Sequence, residues 1–146
     1  MEFLKSLFLK KPSDADQSTG DDDLQTAFAA LLVEAARADE HYDDKERALI
    51  TTLIGRQFDL SPEAAAGVRT RGENAQAAAI DLHQFTRSVK QLGAEEKRSF
   101  MEGLWRIVLS DGVRDPWEES LVRRVASLIH VTDQESARAR QAVSGD

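Results

Sequence analysis

The chain has no cysteine, three prolines, eight glycines and one tyrosine in 146 residues. The missing thiols exclude disulfides, cysteine-ligated zinc, iron–sulfur clusters and thiol catalysis. Basic residues are outnumbered, 19 against 26 acids, for a formal charge of −7. Nucleic acid is therefore excluded as a partner, because phosphate binding needs a basic surface. No apolar run reaches the roughly 18–20 residues of a membrane-spanning helix. No segment alternates apolar and polar residues as a half-buried strand does. What remains is rich in helix formers: 20 alanines, with 41% hydrophobic and 31% charged residues. Length and composition predict one all-α domain with a real core.

Residues 1–11, MEFLKSLFLKK, place Phe3, Leu4, Leu7 and Phe8 on one helical face, with Lys5, Lys10 and Lys11 elsewhere. Lys5 interrupts the apolar run, and Pro12-Ser13 follows where a secretory signal would carry a small-residue cleavage site. The segment is read as a short amphipathic helix. It either docks on its own domain or makes weak, reversible contact with a membrane surface or a protein partner. Residues 12–23, PSDADQSTGDDD, are polar and acidic and read as a flexible linker. The folded domain is expected over residues 24–146.

Seven helical patterns follow. The first carries Leu24, Phe28, Leu31, Leu32, Ala35 and Ala36, and the second Leu49, Ile50, Leu53, Ile54 and Phe58. Ser61-Pro62 opens the third, which is expected to bend or end near Gly72. The fourth holds Leu82, Phe85, Val89 and Leu92, with Gly93 as its stop. The fifth is apolar around much of its circumference, from Phe100 to Val108, and is expected to be the most buried. Leu121, Val122, Val125, Leu128 and Ile129 mark the sixth, and Thr132 with Glu135 caps the seventh.

The pattern repeats with an offset of 72. Phe28 aligns with Phe100, Leu32 with Leu104, and Leu49, Ile50 and Leu53 with Leu121, Val122 and Val125. Two related hairpins about a pseudo-twofold axis are implied. Each has an acidic corner, Asp-x3-Asp-x2-Glu: Asp39, Asp43 and Glu46, then Asp111, Asp115 and Glu118. That is the spacing of the second half of an EF-hand loop. The first half is missing, since Ala35, Arg37, Ile107 and Leu109 occupy its ligand positions.

Two roles are open to these acids. Asp43 with Glu46, and Asp115 with Glu118 after Pro116, have the spacing of helix-capping boxes. Asp39 and Asp111 instead end apolar helices, where the dipole disfavours an anion by roughly 0.3–1 kcal/mol. Either the amides of the next helix or a bound cation would compensate. Six carboxylates near one axis suit weak binding of calcium or magnesium. Glu34 and Arg106, equivalent under the shift, either pair near the axis or face solvent. His41, His83 and His130 are too scattered for a metal triad, and no phosphate loop or nucleophile elbow is present. A catalytic role is not expected.

The Ala38-Asp39…Asp43-x-x-Glu46 corner, with Leu104-Trp105…Ser110-Asp111-Gly112-x-x-Asp115-x-x-Glu118-Glu119-x-Leu121-Val122-x-Arg124-Val125-Ala126, resembles the TerB tellurite-resistance family over residues 24–143. The resemblance implies a seven-helix domain with internal pseudo-symmetry. It also implies acids linked to divalent cations, a role in tellurite or other chemical stress, and kinship with the N-terminal domain of a membrane-anchored DnaJ-type co-chaperone. The chain departs from the family at Glu40, which replaces the usual glycine, and at His41 within the loop.

A cytoplasmic, non-enzymatic domain is expected, peripheral to the inner membrane if residues 1–11 engage it. It would bind a divalent cation and serve as an interaction module for an unknown protein partner in a membrane-associated stress complex. The alternative is a purely structural or adaptor domain whose acids only cap helices.

Overall fold

The structure is a computed structural model that describes residues 12–38, 42–110 and 116–145. Among these residues there are seven α-helices and no strand: α1 (Pro12–Arg37), α2 (Asp44–Phe58), α3 (Pro62–Ala78), α4 (His83–Val89), α5 (Ala94–Val108), α6 (Pro116–Leu128) and α7 (Asp133–Ser144). The expected amphipathic helix of residues 1–11 lies outside the described residues.

Local chemistry fixes most of the helix ends. Ser61 accepts the Ala64 amide at 3.1 Å, with Pro62 at the first helical position of α3. Thr132 and Glu135 cap α7 reciprocally, the Glu135 amide donating to Thr132 Oγ1 at 3.1 Å and the Thr132 amide to Glu135 Oε1 at 2.8 Å. The Thr132 amide bond to the carboxylate, helped by the Thr132 side chain, favours the ionised form and holds the Glu135 carboxyl below the usual glutamate range.

Four expectations need correction. Residues 12–23 are the first half of α1 rather than a linker. Proline is tolerated at the first position of a helix, where its missing N–H would have no partner. Gly93 does not stop α4; it has extended backbone and its amide donates to Glu96 Oε1 at 3.0 Å, making it the N-cap of α5. Gly72 neither ends nor interrupts α3, which runs on to Ala78.

The fourth concerns the centre of the bundle. Every residue from Ala27 to Val33 on α1 is buried, as are Ala35 and Ala36. This helix packs against α2, α3, α4, α5 and α6. The fifth helix is heavily buried through Phe100, Met101, Leu104, Trp105, Ile107 and Val108, but its Arg106 is exposed. Alanines explain the difference. They bring little apolar weight to a sequence pattern, yet they let neighbouring backbones approach α1 on all sides.

The repeat survives in the packing. Phe28 and Phe100, equivalent under the offset of 72, meet edge to face with centroids 5.0 Å apart. Equivalent residues in mutual contact lie near the axis that relates them. Leu32 and Leu104 are both fully buried, as are Ile50 and Val122.

Candidate functional site

The first corner joins α1 to α2. Asp43 Oδ1 accepts the Glu46 amide at 2.9 Å, and the Asp43 amide points back at Glu46 Oε1, 3.4 Å away. This is the capping box that the spacing implied. Glu46 is buried, and so is its equivalent Glu118 near the start of α6, at 1% exposure. Carboxylates are rarely buried to this degree unless hydrogen-bonded or paired. Both corners therefore direct one acid inward at the same register.

Asp39, His41, Asp111 and Asp115 lie outside the described residues. Among the described residues no three His, Asp or Glu side chains converge as metal ligands would.

Next to the first corner stands a polar cluster that the sequence reading missed. Tyr42, the residue before the cap, lies between two guanidinium groups: Arg37 is 4.9 Å and Arg47 4.7 Å from its ring centroid. Its hydroxyl donates to Glu73 Oε2 on α3 at 2.6 Å. The same oxygen faces Arg69 Nε at 3.2 Å and Arg47 Nε at 3.7 Å. Arg37 donates to Gln76 Oε1 and reaches the Glu73 carbonyl at 3.5 Å, and Gln76 Nε2 donates to Glu34 Oε1 at 2.8 Å. Burial raises the Tyr42 phenol well above the usual tyrosine range, and the bond to Glu73 and that residue's charge push it further. Tyr42 thus stays a neutral donor that ties the corner to α3. No residue spacing announced this, because its members come from α1, the loop, α2 and α3. An isolated tyrosine between arginines was the one visible trace.

Glu34 takes the Gln76 bond on α3, while Arg106 is exposed beside Leu49, Leu109, Arg140 and Val143. The two do not pair. Trp105 is core and donates from Nε1 to Ser136 Oγ at 3.1 Å, whereas Trp117 is 65% exposed.

The two corners are not chemically equal. Under the offset of 72, Leu109 stands in the place of Arg37 and Glu119 in the place of Arg47. The guanidinium clamp belongs to the first corner alone.

Fold and corners together define a class: an all-helical domain made from a duplicated hairpin, with an acidic turn in each copy. The family model described as tellurite resistance protein TerB matches residues 25–141, and the chain belongs to that family. Searches of curated proteins and of solved structures gave no significant match. No helix among the described residues is long and apolar enough to cross a membrane.

The capping role of Asp43 carries its own test. Asp43→Ala is expected to lower the unfolding free energy by about 1 kcal/mol, and Asp43→Asn by much less, since Asn caps nearly as well. Chemical denaturation in metal-free buffer measures both. Equal losses would show that the charge, not the cap, matters at this position.

Proposed function

We propose that this chain is a non-enzymatic binding module of a tellurite or chemical-stress response that takes a divalent cation at its acidic corners. The observation that carries the reading is the duplicated Asp-x3-Asp-x2-Glu corner inside the family match, with its glutamate buried in both copies. Calcium or magnesium suits an all-oxygen donor set. The second corner, Asp111, Asp115 and Glu118, is the stronger site. It has the Asp-Gly-x-x-Asp spacing of a calcium loop, with Arg114 where such a loop carries an apolar residue, and Leu109 and Glu119 take the places of Arg37 and Arg47. Three guanidinium groups near the first corner oppose a cation there by simple Coulomb repulsion.

Thermal unfolding tests this. Calcium at ten times its dissociation constant would stabilise the wild type by about 1.4 kcal/mol. Asp111→Asn should remove most of that gain and Asp39→Asn little. Without metal, the double variant should melt at or above the wild-type temperature, because like charges have been removed. Sodium chloride at matched ionic strength is the control, since plain screening also stabilises an acidic protein. A wild type that gains no more from calcium than from this control sinks the proposal.

The adaptor reading is the second one, favoured by the observed Asp43–Glu46 capping box. It assigns the acids to scaffold and leaves recruitment of a protein or membrane partner to residues 1–11. It expects no calcium effect, and a less stable double variant.

A further inference from the structure

Away from the corners, α4 and the segment after α6 line an open surface groove of about 350 Å³ formed by His83, Thr86, Arg87, Lys90, Ser127, Leu128 and His130, of which His83, Arg87, Ser127 and His130 are exposed. Four of these side chains are basic and none is acidic, in a chain whose net charge is −7. His83, Arg87 and Lys90 are spaced four and three residues apart, so they share one face of α4 and its C-cap, where Lys90 keeps helical backbone. His130 is brought over the same groove by a left-handed backbone, φ 66°, directly after α6. Among the described residues no hydrogen bond or ion pair occupies the side chains of His83, Arg87, Lys90 or His130, unlike the arginines of the Tyr42 cluster. Two carboxylates adjoin the groove without lining it. Asp81 accepts the His83 amide at 2.9 Å, and Asp133 lines the adjoining groove with Arg123 and His130.

We propose that this groove is an anion site for a multiply charged oxyanion of phosphate or tellurite type. Arg87 supplies a planar fork of donors and Lys90 a compact charge. Each histidine offers at least one N–H whatever its protonation state, and Ser127 adds a hydroxyl. Thr86 contributes packing, since its hydroxyl is already directed at the Leu82 and His83 carbonyls, 3.3 and 3.4 Å away. The competing explanation is that basic residues near the carbonyl ends of α4 and α6 only complement the helix dipoles. That explanation needs no concave arrangement and predicts no ligand. The site is independent of the cation reading and stands or falls separately.

The test is an NMR titration of the full-length protein with sodium phosphate and, in parallel, sodium tellurite. Ionic strength is held constant with sodium chloride. Saturable shifts of amides in 83–90 and 127–130 are expected with at least one of the two anions, and the anion that saturates identifies the source. Arg87→Gln should weaken that binding at least tenfold. Ser127→Asp, which places a carboxylate in the groove, should abolish it, while amide shifts elsewhere report that both variants are folded. Should either fail to fold, Lys90→Gln takes its place with the same tenfold expectation. Shifts that follow chloride equally, or folded variants that bind like the wild type, overturn the proposal.

Discussion

Phe28→Ala is expected to lower the unfolding free energy by about 4 kcal/mol, within the 3–5 kcal/mol range of buried Phe truncations. Phe28 is fully buried at the middle of α1. Its ring meets Phe58 of α2 edge to face at 5.1 Å and Phe100 of α5 at 5.0 Å. Each such aromatic pair adds roughly 0.5–1.5 kcal/mol beyond area burial, and truncation loses both at once. The cavity would open where three helices meet, so no single side chain can collapse into it. A domain of this size should lose about 10–20 °C in melting temperature. Phe28→Leu fills most of the volume and should cost less than half as much. Denaturant unfolding of both variants decides: a loss below about 1 kcal/mol for Phe28→Ala would show that the duplicated hairpins do not share one core.

That contact also shows how much of the fold the sequence carried. The offset of 72 aligns Phe28 with Phe100, and in the fold the two rings touch. Apolar periodicity marks five of the seven helices among the described residues, because each buries a stripe that recurs every three or four residues, and the caps at Ser61 and Thr132 mark the other two. It failed where burial depends on smallness instead of size. Ala29 and Ala30 are fully buried, yet alanine reads as neutral in an amphipathic pattern. It failed again at the N-terminal half of α1, where polarity suggested a linker although the acids are compatible with a helix start.

The candidate site was legible to a lesser degree. Asp43 and Glu46 were visible as a capping pair because a box is local, three residues long. The Tyr42–Glu73 bond spans 31 residues, and the Arg37–Gln76 bond 39. Nothing in local spacing encodes such partners; they follow from the packing of α3 against α1. The same holds for the basic groove. Arg87 comes from α4, Lys90 from its C-cap, and His130 from the turn after α6. His83 and His130 are 47 residues apart in sequence, and only folding brings them to one groove.

Gly72→Val is expected to destabilise the protein by about 3 kcal/mol, the upper part of the range for overpacked cores, because α3 and α1 approach too closely there for a side chain. A Cβ at Gly72 would sit 2.5 Å from Ala29 Cβ and 2.9 Å from two α1 backbone atoms, Ala29 C and Ala30 N. Backbone cannot rotate away as a side-chain tip can, so α3 itself must shift. Gly72→Ala sets two effects against each other. Helix propensity favours alanine by roughly 0.8–1.0 kcal/mol, while overpacking costs typically 1–3 kcal/mol. The clash wins, because two of the three contacts are with backbone. Gly67, one turn earlier on the same helix, supplies the control: a Cβ there meets nothing within 4 Å. Gly67→Ala should therefore stabilise by up to about 1 kcal/mol, opposite in sign to Gly72→Ala. The shift of α3 has a second readout. Glu73 follows Gly72 directly and holds the Tyr42 hydroxyl at 2.6 Å. Moving α3 outward lengthens that bond, so the spectrophotometric titration of Tyr42, the only tyrosine, should move down toward the ordinary range in Gly72→Ala and stay put in Gly67→Ala. If the two alanine variants shift stability in the same direction, the close approach of α1 and α3 does not exist in solution.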